Sequence, residues 1–315
     1  MYIKQYSASK LRSINLATLF PSKYVNIIVG NNNAGKTSLI EGIYYCSSLK
    51  SFKAVPTETL IQKNENSLKL LLKVVKYGED LDIYAEKPLN SPKISKVNDK
   101  RVTAKTLLLT LPCIALSFGV ENIIIQAGEQ RRGFLDWGSF HVEPNHLTNF
   151  KNYTKSLKQR NSLLKKSDTT NIDYWTQEVF KHGLLVHNQR NQYFLDLNKE
   201  FISYTDKLTS FDKSVYADIK NTTINYYKGW EDNLGLEESL ANALNKDKVI
   251  KHTSVGPHRA DLLFNASKAD LKNISSMSTQ IIVSLLLVLS QAEVFHVKHG
   301  FRPVILIDDL FFGID

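Results

Sequence analysis

The stretch GNNNAGKTS, Gly30 to Ser38, constrains this chain more than any other. From Gly30 to Thr37 it fits G-x-x-x-x-G-K-[ST]. The run before it, Tyr24 to Val29 (YVNIIV), is apolar and β-branched and predicts a buried strand. After it, Leu39, Ile40, Ile43 and Tyr44 recur at helical spacing and predict a helix beginning near Lys36. Strand, glycine-rich loop and helix is the context a phosphate-binding loop requires. Gly30 and Gly35 permit backbone shapes that a side chain would block. The amides of Gly30, Asn31, Asn32, Asn33, Ala34 and Gly35 can then point inward on an anion, and the helix N-terminus adds its positive end. Lys36 would reach the β- and γ-phosphates, the Thr37 hydroxyl would ligate Mg²⁺, and Ser38 completes the loop. The competing reading is a plain glycine turn between a strand and a helix.

A second motif lies at the far end. Val304 to Ile307 is four apolar residues followed by Asp308 and Asp309. A buried strand ending in two carboxylates matches the second nucleotide motif of phosphate-loop ATPases. Asp308 would hold the Mg²⁺ shell and Asp309 would act as general base on the attacking water. Apolar runs ending in Asp-Asp also occur as simple strand-ending turns, so the upstream loop gives this one its meaning. The two motifs are roughly 270 residues apart. That distance predicts an α/β head of the ABC type (SMC-like), with a phosphate loop and an inserted helical lobe.

Texture along the chain supports the split. Residues 1 to about 110 read mostly as strands around one helix: Leu68–Val75, Leu81–Ala85, and a hairpin over 93–102 turning at Asn98-Asp99. From about 125 to 250 Gly and Pro become scarce, and Tyr174 to Leu197 has apolar residues near helical spacing. After 250, strand and turn signals return, followed by a long helix and VILIDD. The expected division is a discontinuous head, 1–120 with 251–315, and a helical lobe, 121–250. Cys46 and Cys113 are the two cysteines, without metal or disulfide spacing, and are expected as core thiols. The N-terminus has no apolar signal core, and the run Ile281–Leu289 is too short to span a bilayer, so a cytoplasmic location without membrane contact is expected.

The formal net charge of +9 fits a protein that meets a polyanion such as nucleic acid. The basic residues Lys151, Lys155, Lys158, Arg160, Lys165 and Lys166 have no acid among them. Lys151, Lys155 and Lys158 share one helix face and could neutralise phosphates, against the alternative of a solvated surface. No aromatic-basic pattern suggests base stacking, so backbone rather than base reading is expected. Arg131 and Arg132 could serve DNA or pair with Asp136. Trp137, Trp175 and Trp230 are expected in packing. His258 and Arg259 follow a Gly-Pro turn, and a packed turn competes with an interface role.

Several segments together resemble the RecF family of bacterial recombination mediator ATPases. They are KLRSINLATLFPSKYVNIIVGNNNAGKTSLIEGIYY, QRRGFLDWGSFHVEP at 130–144, LKQRNSLLKK at 157–166, GPHRADL at 256–262 and LIDDLFFGID at 306–315. They occur in the family's order and span nearly the whole chain. The resemblance implies an ABC-type head with a helical lobe, ATP and Mg²⁺ as cofactors, and an ATP-dependent homodimer that sandwiches two nucleotides. It also implies binding to gapped or junction DNA, and partnership with RecO and RecR in loading RecA.

The sequence departs from the family pattern at three places. The signature S-x-G-Q aligns with SSMSTQ, with Met277 and Thr279 at the Ser and Gly places. Ser276 or Ser278 substitutes after a one-residue shift, and Gln280 is kept. Lys53 stands where relatives often carry Arg, keeping the charge but losing the bidentate fork. The family pattern continues past Asp315 with a last strand and switch segment. ATP binding is therefore expected, while weak DNA-stimulated hydrolysis and a non-hydrolysing DNA-binding scaffold both stay open. A different SMC-like ATPase is disfavoured, because the insertion lacks sustained heptads.

Overall fold

A computed structural model describes residues 1–117, 122–167, 170–211, 217–267 and 269–309. The chain divides into two compact units, Met1–Val120 with His299–Ile314, and Glu121–Lys298.

The first unit is built on alternation. In β1 (Tyr2–Leu11) and β3 (Ser67–Lys76), Tyr6, Ala8 and Leu11, then Leu68, Leu70, Leu72 and Val74, are buried. The alternation is strict in β3 and interrupted in β1 by a register shift near Ile3–Gln5. Side chains two apart fall on one face of a strand, so the sheet has one apolar side. With β2 (Ile14–Leu19), β4 (Glu79–Pro88), β5 (Ile94–Val97) and β6 (Lys100–Arg101) these strands form an antiparallel sheet in the order β2-β1-β3-β4-β5-β6. Asn98 and Asp99 turn β5 into β6 with φ of 47° and 62°, the paired positive angles of a tight hairpin. Helix α1 (Lys36–Ser48) lays Ile43, Tyr45 and Cys46 into this core. A Cβ on its Gly42 would sit 2.0 Å from the Tyr6 hydroxyl, so only glycine lets α1 approach β1 this closely. Helix α2 (Ala104–Thr110) leads into β7 (Cys113–Ser117), which pairs in parallel with β11 (Val304–Asp308).

The second unit is mainly helical: α3 (Gly128–Val142), α4 (His146–Lys166), α5 (Ile172–Phe211), α6 (Ala217–Lys220) and α7 (Leu236–Ile250). At 40 residues α5 is roughly 60 Å long. Tyr153, Val179, Val186, Trp230 and Leu240 join α4, α5 and α7 in one apolar cluster. A three-stranded sheet, β8 (Thr222–Tyr227), β9 (Asp261–Ala266) and β10 (Ala269–Asp270), packs in a second cluster. Short α8 (Leu271–Ile274) precedes α9 (Met277–His299). By length and composition α9 could cross a membrane, but Val283, Leu286, Leu287 and Val294 lie in the second cluster.

Two local expectations fail. Tyr24–Val29 is not a strand: Tyr24, Val25, Ile27 and Val29 are 85, 78, 75 and 84% exposed. Asn26 closes a local turn instead. Its side chain accepts from the Ser22 amide at 2.7 Å and donates to the Ser22 carbonyl at 3.1 Å, competing with any ladder. Within the expected helical lobe, Thr222–Tyr227 forms β8 because its partner, β9, lies about 40 residues on. Residues 251–298 pack in the second unit, through β9, β10 and most of α9.

Candidate functional site

The loop 30–38 curls around Lys36. Its ammonium donates to the carbonyls of Gly30 at 2.7 Å and Asn31 at 2.9 Å. The Ala34 amide closes a turn on the Asn31 carbonyl at 3.2 Å, and Asn33 and Gly35 take left-handed φ of 64° and 91°. Helix α1 starts at Lys36 with no side-chain cap and no acid of its own in the first turn, so the helix itself leaves its positive end free for an anion. Ser38 is buried behind it.

Asp308, 3% exposed at the end of β11, meets this loop. The Thr37 hydroxyl donates to Asp308 Oδ1 at 2.8 Å, across a separation of 271 residues. The two oxygens lie close enough that one small cation would be within reach of both. The other oxygen, Oδ2, is buried without a hydrogen bond and has the Lys53 ammonium at 3.4 Å. One carboxylate and one hydroxyl is a donor set that suits Mg²⁺, which keeps water and phosphate in its shell. Among the described residues no cluster of three His, Cys, Asp or Glu could hold a metal alone. Asp309 is exposed, with φ of 56°, directly after the strand. Positions 310–315 of the LIDDLFFGID segment lie outside the described residues.

A second layer behind α1 escapes sequence reasoning. Glu41 is fully buried, paired with Arg12 at 2.7 Å and hydrogen-bonded by the Ser51 hydroxyl. The available signal was one acid within the apolar stretch Leu39–Cys46; its partners lie outside the helix.

The signature-like residues start α9. Ser276 is exposed and its hydroxyl accepts from the Thr279 amide at 3.2 Å, as an N-cap does. Ser276 and Thr279 hydroxyls are also 3.0 Å apart. Ser278 is partly exposed, and Met277 is 38% exposed. Gln280 is buried: it donates to the Lys272 and Ser275 carbonyls and accepts from Asn122.

The basic run divides. Lys151, Lys155, Lys158, Lys165 and Lys166 are all exposed on α4, opposite the buried Tyr153, Ser156 and Leu164. Arg160 is a correction. It is fully buried, pairs with Asp247 at 2.7 Å, and donates to Thr176 and Thr253, so it cannot lie on a DNA-facing surface. Its spacing of two from Lys158 turns it to the packed side. Nor do Arg131 and Arg132 pair with Asp136. Arg131 grips Asp261 through two bonds of 2.7 and 2.6 Å, Arg132 donates to the Ala260 carbonyl at 2.9 Å, and Asp136 belongs to Arg190.

His258 is wedged under its turn. Its Nε2 donates to the Thr253 carbonyl at 3.0 Å and Nδ1 accepts from the Tyr153 hydroxyl at 2.6 Å. Burial, aided by Arg259 and Arg132, lowers its pKa to about 4. Trp230 is buried; Trp137 and Trp175 are partly so, Trp137 packing on His141 and Phe295. Burial raises the Cys46 thiol and pushes Cys113 up to about 12.

No family model matches the chain. Curated proteins do. The DNA replication and repair protein RecF of Pseudomonas aeruginosa (strain LESB58) is 30% identical over 316 residues, covering 98% of this chain and 83% of the relative. RecF of Coxiella burnetii (strain RSA 493 / Nine Mile phase I) is 29% identical over 311 residues, 98% and 85% of the two chains. Among solved structures, the recombination mediator protein RecF-ATP in the RecFOR pathway superposes with a TM-score of 0.83 at 25% identity, covering 100% of this chain and 86% of that one. The Smc head domain of Pyrococcus furiosus bound to the C-terminal domain of ScpA gives 0.51 at 13% identity over 97% and 89%, a likeness of fold. With the phosphate loop and β11 carboxylate joined on an ABC-type head, and 30% identity along almost its whole length, the chain belongs to the RecF family of DNA replication and repair proteins.

Proposed function

We propose that this chain is an ATP-dependent DNA-binding protein of recombinational repair and replication restart, which recognises gapped or junction DNA and helps RecO and RecR to load RecA. The observation that carries the reading is the 2.8 Å contact between Thr37 and Asp308, in a family with a member solved with ATP. The amides of Gly30 to Gly35 cradle the phosphates. Lys36 exchanges the Gly30 and Asn31 carbonyls for phosphate oxygens, a trade of neutral for charged acceptors. Thr37 and Asp308 would hold Mg²⁺, which would supply positive charge to offset that of the triphosphate. Asp309, exposed beside Asp308, orients the attacking water. In functional terms the head comprises 1–120 and 251–315, because the signature-like Ser276, Ser278 and Gln280 serve the nucleotide of a second copy. The lobe, 121–250, presents Lys151, Lys155, Lys158, Lys165 and Lys166 to DNA in the cytoplasm. ATP favours the homodimer because only the loaded loop offers the partner a triphosphate.

One observation favours a non-hydrolysing scaffold instead. The Ser276 hydroxyl is engaged in capping its own helix, and Thr279 puts a Cβ where the family's glycine stands. Light scattering with and without ATP, and steady-state ATP turnover with and without gapped duplex, separate the readings. A mass that doubles with ATP in the wild type and not in Lys36→Ala, with DNA-stimulated turnover, supports the first. ATP-dependent doubling and DNA binding without turnover support the scaffold. Neither doubling nor DNA binding defeats both.

A further inference from the structure

The segment that follows α1 brings a second lysine back to the site. Lys53 Nζ lies 3.4 Å from Asp308 Oδ2, a buried oxygen that no hydrogen bond engages among the described residues. Oδ1 of the same carboxylate takes the Thr37 hydroxyl at 2.8 Å. Two carboxylate oxygens are at most about 2.5 Å apart, so the ammonium is within about 9 Å of the Thr37 hydroxyl. That is inside the screening length of about 10 Å at 0.1 M salt, so its charge reaches an anion held by the loop.

This placement is fastened to α1 itself. The helix ends at Ser48, and Leu49 turns the chain with a φ of 56°. The Ser51 hydroxyl then donates to the buried Glu41 of α1 and accepts from the Lys53 amide at 3.0 Å. Arg12 pairs with the other Glu41 oxygen at 2.7 Å. Phe52 stands edge-on to Tyr44 of α1, with ring centroids 5.8 Å apart. The Ala54 amide closes the turn on the Ser51 carbonyl at 3.3 Å. One helix thus carries Lys36 and Thr37 in its first turn and, through Glu41 and Tyr44, the mount of Lys53.

A cation at this place has two opposite effects. It attracts a triphosphate, and it repels a second cation beside Asp308. We propose that Lys53 is a further charge of the nucleotide site, positioned by Glu41 through Ser51, that lowers the dependence of nucleotide binding on Mg²⁺. The inference rests on the ATP-binding reading above and deepens it. Where Mg²⁺ is plentiful, Lys53 competes with it for Asp308. Where Mg²⁺ is scarce, Lys53 supplies part of the positive charge that the triphosphate needs. A lysine that merely satisfies a buried carboxylate would act on stability alone.

The test is titration of the full chain with a fluorescent ATP analogue, in excess Mg²⁺ and in chelator. The proteins are the wild type, Lys53→Met, Lys53→Arg and Ser51→Ala, with a melting curve for each. The readout is the ratio of the two dissociation constants, chelator over Mg²⁺. Lys53→Met keeps the stem without the charge. It should bind about tenfold more weakly in chelator but within about threefold of the wild type in Mg²⁺, so its ratio rises. Lys53→Arg keeps the charge and should keep the ratio. Ser51→Ala leaves every charge in place and cuts the tie to Glu41, so its ratio should rise by about twofold or more. The proposal is overturned if Lys53→Met lowers the melting temperature and leaves the ratio unchanged, or if Lys53→Arg behaves as Lys53→Met. It is equally overturned if the wild type binds with Mg²⁺ and not at all in chelator. A ratio that rises in Lys53→Met but not in Ser51→Ala removes Glu41 and Ser51 from the proposal. If the wild type binds in neither condition, the ATP reading falls and takes this inference with it.

Discussion

Replacing Arg160 by alanine separates stability from nucleic-acid contact. Arg160 and Asp247 are both fully buried and bonded at 2.7 Å, and Arg160 also donates to Thr176 at 2.9 Å and Thr253 at 2.7 Å. These bonds tie α4 to α5, to α7 and to the segment before the 256–259 turn. Removing the guanidinium leaves Asp247 buried, with only the Ser254 amide and hydroxyl as donors. Breaking a buried pair from one side costs about 3–5 kcal/mol. In a cooperative unit of this size each kcal/mol lowers the melting temperature by about 2–4 °C, so the drop should be about 6–20 °C. Urea unfolding and calorimetry read the loss. Arg160→Met with Asp247→Leu, which removes both charges and fills the space, should recover most of it. The salt slope of DNA binding should be the same in Arg160→Ala as in the wild type, measured below the variant's transition. A variant that melts with the wild type but loses about one unit of salt slope would refute the reasoning and return Arg160 to the surface.

Gly42→Ala drives a methyl to 2.0 Å from the Tyr6 hydroxyl and 2.9 Å from Leu11, and should cost about 1–3 kcal/mol in urea unfolding. His258 and His187, each lowered to about 4 chiefly by burial, stay neutral in the fold while the unfolded chain protonates near 6.5. Stability should therefore be full above pH 6.5 and fall as pH drops toward 4, by on the order of 3 kcal/mol for His258 and by less for the more solvent-screened His187; His258→Gln should flatten part of that slope in pH-dependent melts. Cys46 and Cys113, 0 and 1% exposed with thiols pushed up, should resist thiol reagents in the native protein and react on the timescale of unfolding.

Patterns carried within a few residues were legible in the sequence. The apolar run Leu68–Val75 marked β3, the loop 30–37 marked the start of α1, and Asn98-Asp99 marked the hairpin. The meeting of Thr37 with Asp308 was also legible, because each motif names the other. What depends on partners far along the chain was not. Nothing local marks Thr222–Tyr227 as a strand without β9, or Arg160 as a buried residue among lysines without Asp247. Tyr24–Val29 was misread for the opposite reason. Its composition is that of a strand, but Ser22 and Asn26 satisfy their backbone locally. Helical spacing left Arg131 and Arg132 open between DNA and Asp136, whereas Asp261 and the Ala260 carbonyl, about 130 residues on, take them.

The central claim is that the loop at 30–38 and the carboxylate of Asp308 form one Mg²⁺-dependent triphosphate site. Titration of a fluorescent ATP analogue against the wild type, Lys36→Ala and Asp308→Asn, with Mg²⁺ and with chelator, tests it most directly. The account predicts saturable binding by the wild type that weakens at least about tenfold on losing Lys36, and a Mg²⁺ dependence that disappears in Asp308→Asn. Equal affinity in all three proteins, indifferent to Mg²⁺, would contradict it.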